Sequence, residues 1–231
     1  DMFKALFKND QAMTVVVSII LVYTSLNICG NLVLYFFRFD VGNEGAYSIF
    51  AAVAFAAQVF VMMVIPLLRK RFSKSQLFIS GFVIQIAGFA VILIMAFAKL
   101  YTPQSWYILC LPGILIYLGY GMLNVIMTIF LSDSVDYGEV MNGTREESVI
   151  FSMQTFTVKL ASGVAVFLAG LVVDWIHLDT AAAVQTQDTL DALRMWMTIP
   201  SVILLIVGIF VFKRFYKLDD TRMEEIKSKL N

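Results

Sequence analysis

The chain is 231 residues long, 60% hydrophobic, 14% aromatic and only 15% charged, with a mean hydropathy of +0.82. A soluble domain carries about 45–50% apolar and about 25% charged residues, so this chain lacks the polar surface to coat a globule. Its 17 basic and 17 acidic residues cancel, which excludes a strongly basic nucleic-acid binder, and the same composition excludes a disordered chain or a disulfide scaffold.

The charges come in bursts, and the gaps between them mark the elements. No Asp, Glu, Lys or Arg occurs across 11–37, 45–68, 75–98 or 100–132; the stretch 148–173 is interrupted only by Lys159, and 195–212 is uncharged. A bilayer core of about 30 Å needs about 20 helical residues, and in hydrocarbon the backbone must satisfy its own hydrogen bonds. The windows therefore predict an all-α integral membrane chain with six spans, at about 12–37, 45–68, 76–98, 106–132, 149–173 and 195–212. A β-barrel would instead show short alternating segments. Pro103 and Leu111-Pro112-Gly113 predict an external turn over 101–105 and a fourth span that starts near Trp106 and kinks near Pro112. The external link 174–194 is predicted to hold a short interfacial helix within 180–193. In the tail, 213–231, Met223, Ile226 and Leu230 have the spacing of a small amphipathic helix.

Alternate connections differ in basic content. Lys4, Lys8, Arg69, Lys70, Arg71, Lys74, Arg145, Lys213, Arg214, Lys217, Arg222, Lys227 and Lys229 fall on one side, and only Arg38, Lys99 and Arg194 on the other. Basic connections stay in the cytoplasm, so both termini are expected there, in a bacterial plasma membrane. Cys29 and Cys110 fall within spans and are assigned no disulfide or redox role. His177 reads as an interfacial side chain at an outer edge rather than a ligand. No zinc spacing, phosphate loop, dinucleotide fingerprint or nucleophile elbow is present, so neither an enzyme nor a resident cofactor nor a metal site in this chain is expected. The first residue is Asp, with no signal-type n-region before the first span; this reads as a piece of a longer chain.

A few polar residues stand where polarity is expensive. Lys159 lies about 15 Å into the fifth span, where a lysine costs roughly 2.5–3.5 kcal/mol on insertion scales. It should therefore face protein or a water-filled cavity. Ser152, Thr155, Lys159 and Ser162 share one helix face, with Gln154 adjacent. No carboxylate sits at matching depth, which leaves a tie between helices or a role with substrate as the two readings. Along the first span Tyr23, Asn27, Asn31 and Tyr35 recur every four residues. Such amides and phenols both donate and accept, as sugar hydroxyls require; helix-to-helix hydrogen bonding is the equal alternative. Asn124, with Tyr117 and Tyr120 a turn or two before it, is a candidate of the same kind. Gln58 and Gln85 read as packing amides, and Gly30, Gly119 and Gly163 as points of close helix approach. In the acidic connection 133–147, Asp133, Asp136, Glu139, Glu146 and Glu147 surround the single Arg145. An ion-paired cytoplasmic hinge is the leading reading, and metal binding by these carboxylates the other.

Three segments, Asp133-Ser-Val-Asp-Tyr-Gly-Glu139, Gly143-Thr-Arg-Glu-Glu-Ser148 and Phe151-Ser-Met-Gln-Thr-Phe-Thr-Val-Lys-Leu160, resemble the tenth-to-eleventh-helix region of the glycoside–pentoside–hexuronide:cation symporters, the melibiose-carrier group of the major facilitator superfamily. The resemblance covers essentially the whole chain, as the C-terminal six-helix half. The Arg69-to-Lys74 link looks like a degenerate form of the superfamily's basic loop, and Arg145-Glu146-Glu147-Ser148 departs from the Arg-Glu-Gly of many relatives. The resemblance implies alternating-access transport of a small sugar or glycoside coupled to Na+ or H+, in partnership with an N-terminal six-helix half that binds most of the cation. It implies a coupling role for Lys159, with Gln154 and Thr155 near the sugar. Asp133, Asp136, Glu139 and Arg145 become a cytoplasmic gate. The alternative is a non-transporting six-helix subunit, or a domain that self-associates as a homodimer.

Overall fold

A computed structural model describes residues 9–230, and every regular element among them is helical. Helix α1 (Asp10–Tyr35) runs on into a π-helical turn, Phe36–Val41. It is followed by α2 (Ala46–Leu68), α3 (Lys74–Phe97), a 3₁₀ turn (Trp106–Leu109) leading into α4 (Cys110–Asn142), α5 (Glu147–Trp175), α6 (Gln187–Phe215) and α7 (Asp220–Leu230). Six of these are long and apolar enough to cross a membrane.

The ends are set by capping chemistry. Asn9 accepts from Ala12 N, Thr186 accepts from Thr189 N, and Ser73 with Gln76 forms a reciprocal capping box, each satisfying a donor that the first turn leaves free. Gly42 and Gly143, at φ 75° and 72°, stop the π turn and α4 in the left-handed conformation that glycine adopts without strain.

Charge-free windows underestimate two of the helices by most of two turns or more. The fourth span does not end at 132: α4 stays helical through Asp133, Asp136 and Glu139 to Asn142, so most of the expected hinge is helix. The expected interfacial helix within 180–193 is absent; 187–193 is the first part of α6 itself. Of the charges there, Asp191 is paired with Arg194, as described below. Pro112 stands in the first turn of α4, where a missing N–H disturbs no helical bond; the irregularity lies upstream, in the 3₁₀ turn.

Packing follows a two-unit plan. Helices α2 and α3 lie against α4, while α5 and α6 lie against α1; α1 also meets α4, and α3 meets α6. Exchanging α1–α3 with α4–α6 maps this pattern onto itself, and the two units cross the membrane in opposite senses, as in inverted repeats. Between α3 and α4 a Cβ on Gly119 would stand 2.5 Å from the Gly81 carbonyl oxygen, so the backbones meet through small residues. Gly30 and Gly163, expected to act likewise, have nothing within 4 Å of such a Cβ. Ser25 and Ser201 each donate a hydroxyl proton to the other's carbonyl, tying α1 to α6. At the end that carries the termini, Phe78, Phe130, Phe212 and Tyr216 form an aromatic cluster. The tail helix docks beside it through Leu218, Met223 and Ile226 on Tyr137 and Val140; the side chain of Leu230 lies outside the described residues.

Helix α5 buries a narrow seam, chiefly Ala161, Ala165 and Ala169, against α1. The rest of its surface, including Phe156, Leu160, Phe167 and Leu171, is exposed.

Candidate functional site

Mid-depth polar residues of α1, α4 and α5 come together in a chain of contacts. Asn124 Nδ2 donates to Tyr23 Oη at 2.5 Å, and the Tyr23 ring meets Tyr120 edge-on at 5.5 Å. One turn further along α4, Thr128 Oγ1 donates to the Asn124 carbonyl at 3.1 Å, and Gln154 Nε2 of α5 reaches Thr128 Oγ1 at 3.5 Å. Thr128 was not singled out from the sequence, although its position four residues after Asn124 was a usable signal.

The four-residue stripe on α1 divides. Asn27 and Asn31 each donate one amide proton back to their own helix, to the carbonyls of Tyr23 and Asn27, both at 2.7 Å. That leaves each an oxygen and a second proton for another partner. Asn31 and Tyr35 line a cleft of about 540 Å³ with Phe167, Gly170 and Asp174 of α5, within the size range of small-molecule sites.

Lys159 lies near the middle of α5, exposed, with no acidic group within 4 Å among the described residues. Of its face-mates, Thr155 donates to the Phe151 carbonyl at 3.2 Å and is exposed, like Ser152, while Ser162 is half-buried. α5 turns Lys159 away from α1, onto the flank that this chain leaves exposed.

The acidic connection separates into two groups. Arg145 Nη1 donates to Asp136 Oδ1 at 3.0 Å and Glu139 Oε2 at 2.9 Å, and its Nε to Glu147 Oε2 at 3.2 Å. The hydrogen bonds that the guanidinium donates to Glu139 and Asp136 push it above its ordinary value. Asp133, expected in this cluster, is not part of it. It lies about 9 Å further back along α4 than Glu139, buried in an ion pair with Lys74 at the start of α3. Lys74 also stands 3.4 Å from Asp220, which Arg69 reaches at 3.4 Å. Burial would raise the Asp220 carboxyl, but Lys74 and Arg69 outweigh it and hold it below its ordinary range. Glu146 is likewise outside the Arg145 cluster, 3.5 Å from Thr144 Oγ1. Among the described residues no three His, Cys, Asp or Glu side chains are grouped to hold a metal ion.

A second buried pair closes the opposite end. Arg194 Nε and Nη2 grip both oxygens of Asp40 at 2.8 and 2.5 Å, and Nη1 donates to Asp191 at 2.7 Å. Tyr101 Oη donates to Asp40 at 2.6 Å. Burial first, and then that hydrogen bond to Asp40, pushes the Tyr101 phenol upward. The sequence reading had counted Arg194 only as an external loop charge. Cys29 is buried and Cys110 half-buried, and His177 is exposed just past α5.

Six membrane-length helices in two inverted three-helix units are the architecture of a six-helix half of a major facilitator superfamily bundle. The family described as MFS/sugar transport protein matches residues 1–220, and the chain belongs to it. Among its relatives, an uncharacterized symporter, YjmB, of Bacillus subtilis (strain 168) is 25% identical over 99% of this chain. The raffinose carrier protein of Pediococcus pentosaceus is 23% identical over 100%, and the isoprimeverose transporter of Lactiplantibacillus pentosus 24% over 94%. The chain spans 48%, 35% and 43% of those three proteins' lengths, respectively. It is a multi-pass protein of the bacterial inner membrane, and the named relatives are transporters.

Proposed function

We propose that this chain is the C-terminal half of a sugar or glycoside symporter, working by alternating access with an N-terminal six-helix half and coupled to Na+ or H+. The observation that carries the reading is Lys159. A cation at mid-depth, on the flank of α5 that packs on nothing in this chain, is costly unless it meets a charged or polar partner. A carboxylate of the other half, or the hydroxyls of a bound sugar, meets that need. The seam Tyr23–Asn124–Thr128–Gln154, with Tyr120 beside it and the free amide groups of Asn27 and Asn31, offers donors and acceptors in the pattern a sugar takes. The likeness to a raffinose carrier and an isoprimeverose transporter favours a glycoside over another solute. The excess of basic residues at the end that carries both termini supports a cytoplasmic location for them. There the Arg145 cluster with Asp136 and Glu139 serves as a gate, and Asp133 supports it by fixing the end of α4. The coupling cation is assigned mainly to the other half.

Lys159→Ala in the full-length protein is expected to abolish uphill sugar accumulation driven by the cation gradient while leaving the protein in the membrane. Uphill accumulation at the wild-type level by that variant would refute the coupling role.

A further inference from the structure

The two ends of the bundle treat their cations differently. At the end away from the termini each is engaged: Arg38 with Glu44, Arg194 with Asp40 and Asp191, and Lys99 with Gln187. At the end that carries the termini, Lys70, Arg71, Lys213, Arg214 and Lys217 are exposed, and none has a carboxylate within 4 Å among the described residues. These five share one corner. Arg69 and Asp220 join the α2–α3 link to the tail just past α6. Asp220 is already held by Arg69 and Lys74, and Asp219 accepts from Arg222 N.

The cations also continue an apolar stripe. Ile203, Ile206 and Phe210 are exposed on α6, Lys213 follows at the same three- and four-residue spacing, and Lys217 lies just past the end of the helix. From Ile203 to Lys213 the helix rises about 15 Å, half of a hydrocarbon core of about 30 Å. An acyl chain lying on this stripe ends where the cations begin. Phe215 and Phe72 are exposed beside them, with Arg214 over the Phe215 ring at 5.7 Å.

We infer that this corner is a binding site for an anionic phospholipid of the adjoining leaflet, with the phosphate and its anionic headgroup held by Lys213, Arg214 and Lys217 and supported by Lys70 and Arg71. A zwitterionic lipid offers the same chain without the net charge, so the site selects by charge.

The test uses the full-length protein in detergent, titrated with phosphatidylglycerol or phosphatidylcholine, with the thermal unfolding midpoint as the readout. The wild type is expected to be stabilised by phosphatidylglycerol at lower concentration than by phosphatidylcholine. Each juxtamembrane cation is worth about fivefold at a charged surface, so Lys213→Gln/Arg214→Gln/Lys217→Gln should raise the required phosphatidylglycerol concentration by about 100-fold. The charge-retaining Lys213→Arg/Lys217→Arg and the opposite-end Lys99→Gln should titrate as wild type. The proposal is overturned if the triple variant responds at the wild-type concentration, if the charge-retaining variant loses the response, or if soluble polyglutamate competes as well as the lipid, which would point to an acidic protein partner.

Discussion

Arg194→Gln removes the guanidinium that both oxygens of Asp40 accept from, at a site where the two side chains are each 3% exposed. The carboxylate then keeps only the Tyr101 hydroxyl, and α6 loses the stacking of Arg194 over Phe97 at 5.7 Å. Removing one partner of a buried ion pair costs about 3–5 kcal/mol, because the other charge stays buried without compensation, and this variant belongs at the upper end. Asp40→Asn is the milder change, at about 3 kcal/mol, because Arg194 still has Asp191 at 2.7 Å, although that carboxylate is 38% exposed and better screened. At about 2–4 °C per kcal/mol for chains of 150–250 residues, Arg194→Gln should lower the thermal midpoint by about 10 °C or more. Intrinsic fluorescence of the detergent-solubilised protein during heating measures it. The double variant Arg194→Gln/Asp40→Asn leaves no buried charge and should be less destabilised than the two single losses added together, since residues in direct contact are not additive. A midpoint for Arg194→Gln within about 2 °C of wild type, or strict additivity in the double variant, would refute the view that this pair holds the two helices together.

Two further outcomes follow from the same geometry. Gly119→Ala drives a Cβ to 2.5 Å from the Gly81 carbonyl oxygen and 2.6 Å from Gln85 N, both backbone atoms that cannot swing away; a loss of about 1–3 kcal/mol should appear as a lowered thermal midpoint, whereas Gly163→Ala, with open space around it, should hold or raise it. The Asp220 carboxyl lies below its ordinary 3.8 in the folded chain, so its contribution to docking α7 is complete above that value and is lost as pH falls through the lower folded value; a spin label at Thr221 should stay immobile down to about that pH and loosen below it, and Asp220→Asn should loosen it already at neutral pH.

The six spans were legible because a charge in hydrocarbon is costly, so uncharged windows stand out in any ordering of the chain. Their ends were less legible for the same reason. A charge was read as a boundary, yet Arg194 and Asp133 lie inside helices, each beside an opposite charge more than fifty residues away in sequence. Spacing along one helix cannot reveal such partners. Tyr23 and Asn124 were both visible as polar residues in oily spans, but their hydrogen bond depends on how α1 meets α4. Asn27 and Asn31 were visible too, and periodicity said nothing of the competition that turns one amide proton of each back onto its own helix. Gly30, Gly119 and Gly163 looked alike in the sequence; only Gly119 faces a neighbouring backbone. Lys159 was the easiest residue to find, because it is the single charge in an otherwise uncharged span, 148–173.

The buried pairs at the two ends are counterparts under the exchange of the three-helix units. Asp40 ends the first helix of one unit and is gripped by Arg194 near the start of the third helix of the other; Asp133 and Lys74 stand in the same relation with the units reversed. The surroundings repeat as well. Phe36 and Phe130 precede the two acids, and each packs on a tyrosine that follows a third helix, Tyr101 and Tyr216. Phe36 lies four residues before its acid and Phe130 three, and the π turn accommodates the additional residue. The two ties are not equal in strength. The Arg194 fork engages both oxygens of Asp40, with Tyr101 donating a further hydrogen bond. Lys74 is a point charge shared between Asp133 and the more exposed Asp220, and the Tyr216 hydroxyl is buried with no hydrogen-bond partner among the described residues. Each tie nevertheless joins the third helix of one unit to the first of the other, at opposite faces of the membrane. Sliding one unit past the other would break both buried pairs at once. The inequality makes the end where the tail docks the weaker of the two joints between the units.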